Sequence, residues 1–140
     1  MGETQGGDIY ISKKTEENLF GTPTPLDKGR NINSSYFESS ASANQDQTEI
    51  YFVSDRPGNG QADIYMARKQ GSGWGKAINL GDSINTDGDE NSVYIHPEGN
   101  IMFFTSTGHN SMGSYDIFVS KRVDGVWRKA VNLGYPINTV

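Results

Sequence analysis

Two stretches of this 140-residue chain are nearly the same, 53 positions apart: Asn79–Asn85 reads NLGDSIN and Asn132–Asn138 reads NLGYPIN. The likeness extends well beyond them. With 63–86 laid over 116–139, Asp63, Ile64, Trp74, Lys76, Ala77, Asn79, Leu80, Gly81, Ile84, Asn85 and Thr86 all recur, 11 identities in 24 positions. Average residue usage would give about one or two by chance. A chain that repeats one unit cannot bury each unit's apolar surface alone, so the copies must stack on one another.

The copy also runs backward. GGDIYIS at 6–12 matches QADIYMA and SYDIFVS, Phe20 stands where Trp74 and Trp127 stand, and Leu26 pairs with Leu80. Ile32 and Asn33 pair with Ile84 and Asn85, Glu38 with Glu90, and EIYFVSD with IMFFTST. Each unit reads as four short strands. In the last, NSVYI is followed by the turn HPEGN, whose Pro and Gly preset hairpin angles. IMFFTS is the second strand, a Gly/Asn/Ser loop leads into YDIFVSK, and Asp124-Gly125 predicts a primed hairpin turn before VWRKAV.

These strands are apolar on both faces. Ile64 and Met66 point one way and Tyr65 the other, and Ile117/Val119 with Phe118 and Ile9/Ile11 with Tyr10 repeat the arrangement. A sheet with one wet face would alternate apolar with polar. Hydrophobic residues are only 34% of the chain, but seven Tyr, six Phe and two Trp supply large surfaces to bury. Seventeen Gly suit a turn-rich, all-β chain. Small four-stranded sheets stacked face to face at this period are the blades of a β-propeller. NLGxxIN is then the crossover between blades, with Gly81 and Gly134 allowing the bend and Leu and Ile anchoring it.

SDRPGNGQADIY, GWGKAINLGDSINTDGDEN, HPEGNIMFFTS and GSYDIFVSK resemble the TolB-type WD40-like β-propeller repeat, above all copies in bacterial envelope proteins found beside OmpA-type peptidoglycan-binding domains. The resemblance covers about Gly6 to Thr139. It implies a periplasmic or outer-membrane-associated parent and a binding role. The first unit departs from the pattern, with Phe20 for Trp and LDKGRNIN for the Asn-Leu-Gly signature.

The strands tally as an outer half-blade at 7–26, full blades at 36–80 and 90–132, and a crossover to a next blade at 133–140, about two and a half blades. A four-bladed ring at this period needs about 212 residues. This segment is therefore expected to close only within a longer parent or by association with other copies of itself. No signal peptide is visible, and MGETQGGD reads as a start placed on an internal fragment. The net charge of −5 argues against nucleic acid and anionic lipid as partners. The absence of Cys excludes disulfides and thiolate chemistry, and no apolar run approaches a membrane span.

Asp8, Asp63 and Asp116 open the third strands. A carboxylate at one point of every unit reads as a structural acceptor of turn N–H groups, the rival reading being a catalytic or metal-binding ring. Glu38 and Glu90 precede the innermost strands, where they would either converge in the channel on a cation or cap the crossover. NTDGDEN begins like a Ca²⁺ loop but has Glu90 where the EF-hand needs Gly and His96 where it needs Glu. No cofactor is expected, with a surface Ca²⁺ contact as the lesser alternative. Arg56 would either grip a ligand carboxylate or pin its loop by pairing with Asp55. Asp55, Arg56, Asn59, Asp87, Asp89, His109 and Asn110 are expected to form one ligand-facing loop surface.

The leading expectation is a non-catalytic binding or scaffold module that presents loops to a protein, peptide or glycan. The alternatives are a glycosidase- or peptidase-associated propeller using Glu38 and Glu90, and a self-assembling arc without a function of its own.

Overall fold

A computed structural model describes residues 6–140. Among them there is no helix, and every strand pairing is antiparallel. Strands β1 (Tyr10–Ile11) and β2 (Thr24–Pro25) form a two-stranded sheet. The first full blade comprises β3 (Glu38–Ala43), β4 (Glu49–Ser54), β5 (Asp63–Gln70), β6 (Gly73–Trp74) and β7 (Ile78–Asn79). The second comprises β8 (Glu90–Ile95), β9 (Ile101–Ser106), β10 (Asp116–Val123), β11 (Val126–Trp127) and β12 (Val131–Asn132). The chain is thus all-β, with two antiparallel blades and an outer half-blade.

The fourth strand of each blade is broken in two, a detail the unbroken reading of VWRKAV does not contain. Both β11 and β12 pair with β10, as β6 and β7 pair with β5. Ala130 is buried against the neighbouring blade and turns its N–H away to the Ser83 carbonyl of the crossover, 3.0 Å off. The hairpin between β10 and β11 has positive φ at both Asp124 (52°) and Gly125 (77°), as a primed turn requires.

The first blade is covered on both faces. Ile64 and Met66 join Tyr51 and Val53 in a core with Val93, Ile95, Met102, Phe104, Phe118 and Trp127 of the second blade. Tyr65, Ala67, Ile50, Phe52 and Trp74 face the other way, against Ile32, Ile9 and Leu26. Burying side chains of this size contributes about 1.5–3 kcal/mol each. The second blade is covered on one face only: Tyr94, Ile117 and Val131 lie exposed on its far side.

Polar bonds seal the junction between the blades. The free-edge N–H groups of Val93 and Ile95 donate to Ser40 Oγ and Ser42 Oγ, each at 3.0 Å. Arg122 reaches across to Glu49 at 2.8 Å, and the Tyr51 hydroxyl donates to the same carboxylate at 3.1 Å. Burial pushes Glu49 up, but the hydrogen bond and charge of Arg122, with help from Tyr51 and Arg68, outweigh it and hold the carboxyl below its ordinary value. Burial and the adjacent Glu49 charge push the Tyr51 hydroxyl up to about 12.

Candidate functional site

The loops between blades are held by the repeated motif itself. Asn85 Oδ1 accepts the Ile64 N–H (2.8 Å), while its Nδ2 donates to the Ile64 carbonyl and to Asn79 Oδ1 (both 2.9 Å). Asn79 Oδ1 also takes the Gly81 N–H at 2.8 Å, and its Nδ2 donates to Asp63 at 2.9 Å. Asn138, Asn132 and Asp116 repeat the clamp around Ile117 and Gly134. Gly81 and Gly134 sit at φ of 75° and 67°, where a Cβ would be strained. The first unit keeps only Asn33 on Ile9. NLGxxIN is therefore a side-chain lock on the strand that begins the outer half of the same blade.

The recurring acids are engaged locally. Asp63 accepts the N–H groups of Asn59 and Gly60, and Asp116 that of Met112. Asp8 occupies the same place, but the donors equivalent to Asn59 and Gly60 would be residues 4 and 5, outside the described residues. Glu90 is fully buried and accepts from Thr86 N–H (3.0 Å), Thr86 Oγ1 (2.8 Å) and Ser106 Oγ (2.7 Å). Glu38 is held likewise by Ser34 and Ser54. Both cap the entry to the inner strand. Among the described residues no group of three or more His, Asp or Glu converges as a metal would require.

Arg56 pairs with Glu38 at 3.0 Å, not with Asp55. Its guanidinium also donates to the Asn31 and Ile32 carbonyls and lies over the Phe52 and Tyr65 rings. The reason is burial: Glu38 is an enclosed acceptor, whereas Asp55 is exposed and takes the Phe37 N–H at 2.7 Å. Arg56 is thus a packing residue that ties one crossover to the next loop.

The other sequence-predicted residues fall into two grooves. Asn59, Asp87 and His109 line one of about 450 Å³ together with Asp82, Asn85 and Thr86. Asp82 and His109 also line an adjoining space of about 580 Å³ with Asn110, Lys129 and Asn132. Asp55 and Asp89 lie apart, in a smaller cleft with Phe37 and Tyr115. There the Tyr115 hydroxyl donates to Asp89 at 3.3 Å. Slight burial and the Asp89 charge raise its pKa.

His109 is oriented by its surroundings. Its Nε2 lies 2.7 Å from the Ile84 carbonyl, which can only accept, so Nε2 carries a proton. The ring packs on Phe118 and Phe104, with centroids 5.2 and 6.1 Å away. Nδ1 is left as the ring nitrogen for any further bond. The groove thus offers two carboxylates, amides from Asn59 and Asn110, one imidazole nitrogen and the Lys129 ammonium, a set suited to hydroxyl- and amide-bearing ligands.

Asp82 and Lys129 escaped the reading of the sequence. Asp82 carried one signal: it lies inside the repeated crossover, where the second copy has Tyr135, so construction does not dictate it. Lys129 matches Lys76 in the first copy and so looked like part of the scaffold. No helix among the described residues is long and apolar enough to cross a membrane. Compared with known proteins, the chain matches no family model and no curated protein.

Proposed function

We infer that this chain is a non-catalytic binding module whose ligand is a glycan or peptide rich in hydroxyl and amide groups. The observation that carries the reading is the continuous polar groove. Residues of three loops line it: Asn59, Asp82 with Asp87, and His109 with Asn110. Rigid sheets and the Asn clamps hold those loops in place, which limits the ordering cost of binding. The recurring acids support a non-catalytic role, because Glu38 and Glu90 have oxygens engaged in local bonds, whereas glycoside hydrolysis needs two carboxylates facing one sugar bond. The resemblance to TolB-type envelope repeats supports a parent in the periplasm or at the outer membrane. Calorimetric titration with muropeptides and short peptides tests the reading. Saturable heat lost in Asp82→Ala and Asp87→Ala is the expected result. Turnover of a glycoside or peptide that Glu90→Gln abolishes would replace this reading with the enzymatic one.

A second reading, an arc that associates with other copies of itself, rests on a separate observation. Tyr10 (56% exposed) and Phe20 (73%) occupy the places held in the second blade by Phe118 (0%) and Trp127 (7%). The far face of the second blade, with Ile117, Leu133 and Ile137, carries the counterparts of Ile64, Leu80 and Ile84. One chain thus bears both halves of a blade junction. Light scattering is expected to give a mass that rises with concentration, and a strictly monomeric species contradicts the reading.

A further inference from the structure

A groove of about 320 Å³ opens between the half-blade and the first full blade, and its lining includes Ile9, Ile11, Leu26, Ala41, Ala43 and Trp74. Two backbone edges border it. Leu26 N–H bonds to the Ile9 carbonyl, so alternation directs Ile9 and Ile11 toward β2. Tyr10 then turns its N–H and carbonyl to the other side, where β1 has no neighbour among the described residues. On β3, Asn44 N–H bonds to the Glu49 carbonyl, which by the same alternation leaves the N–H groups of Ala41 and Ala43 on the free edge.

The molecule contains a filled counterpart of this groove. At the next junction the equivalents of Ala41 and Ala43 are Val93 and Ile95. Their N–H groups are met by Ser40 Oγ and Ser42 Oγ of the β3–β4 hairpin. The outer strand of that hairpin pairs along β5, which is the equivalent of β1. Val93 and Ile95 are buried, whereas Ala41 and Ala43 are exposed. The repeat therefore specifies the shape, the hydrogen bonds and the side-chain chemistry of what fits.

We propose that this groove is a receptor for a β-hairpin of the kind that fills the next junction. The inner strand of the occupant places hydroxyl side chains at alternate positions, against the Ala41 and Ala43 N–H groups. Its outer strand adds to β1 through Tyr10 and presents apolar side chains to Ile50 and Trp74. The mode is strand addition to an exposed edge: the ladder supplies affinity, and the serine spacing with the apolar alternation supplies specificity. The small Ala41 and Ala43 keep the cleft open. The surface shares no lining residue with the polar loop groove, so it stands independently of the ligand proposed there.

The probe is a synthetic hairpin of this chain's own residues 38–54, added to the intact protein labelled with ¹⁵N. Saturable shifts of the Tyr10, Ala41 and Ala43 amides are expected. Changing both Ser40 and Ser42 of the probe to Val is expected to weaken binding at least tenfold. Ala43→Arg in the receptor, at an exposed position that folding tolerates, is expected to weaken it by a similar factor. Absence of saturable binding at millimolar peptide would overturn the proposal. So would shifts centred on Tyr94 and Ile117, or equal affinity for a scrambled peptide.

Discussion

The junction between the two full blades is closed along its whole length, whereas the junction between the half-blade and the first blade is closed only at its outer end. Both use the same parts outside: an aromatic of the fourth strand, a Leu and Ile of the crossover, and an Asn clamp. They differ inside. The closed junction places Val93, Ile95, Met102 and Phe104 against the β3–β4 hairpin. The open one offers Ala41, Ala43 and Ile50 to a groove. Identical outer wedges do not seal a propeller junction; the inner hairpin does.

The largest test of that contrast is a pair of core truncations. Phe104→Ala removes a buried ring from the closed junction and is expected to cost about 3–5 kcal/mol in urea unfolding. Ile11→Ala, at the rim of the open groove, is expected to cost less than about 1 kcal/mol. Similar costs would mean that the two junctions are sealed alike. Next come the clamps. Asn85→Ala leaves the buried Ile64 N–H unmet, takes from the Ile64 carbonyl one of its two donors and unties Asn79, for an expected loss of about 2–3 kcal/mol. Asn33→Ala removes only the two bonds to Ile9 and should cost about half as much.

The ion pair of Arg122 and Glu49 belongs to the closed junction alone, and titration isolates it. The Glu49 pKa is lowered on folding, so its contribution is present above the unfolded value near 4.5 and is lost as pH falls through the lower folded value. Arg122→Met is expected to cost about 1–2 kcal/mol at neutral pH and to reduce this acid-side loss, because burial of Glu49 is then opposed only by the hydrogen bonds of Tyr51 and Arg68. At the alkaline end the sign reverses. The Tyr51 pKa is raised, so the stability it confers is present below pH 10 and declines as pH rises toward about 12. Tyr51→Phe should flatten that decline. The smallest effect is expected at Tyr135, which is almost fully exposed. Tyr135→Ser should change unfolding by under about 0.5 kcal/mol.

The sequence revealed the parts governed by short period and by duplication. The Ile-Tyr-Met alternation of β5 showed that both faces must be covered, and Asp124-Gly125 announced its own turn. It did not reveal the break in the fourth strand, between β6 and β7 and again between β11 and β12, nor the bond from Ala130 to Ser83 in the neighbouring blade. Arg56 adjoins Asp55 in sequence, but its partner Glu38 lies 18 residues away and becomes adjacent only through the β3–β4 pairing. Of the seven residues expected on one surface, Asn59, Asp87, His109 and Asn110 gather around Asp82. Asp55 and Asp89 go elsewhere, since their backbone and side-chain bonds tie them to Phe37 and Tyr115.

Amide exchange in the native state addresses the difference between the junctions most directly, because four edge amides of equivalent position can be read in one experiment. Val93 and Ile95, bonded to Ser40 and Ser42 beneath the hairpin, should exchange at least tenfold more slowly than Ala41 and Ala43, which face the open groove. Equal protection at all four positions would contradict the account, since it would mean that the inner edge of the first blade is already covered.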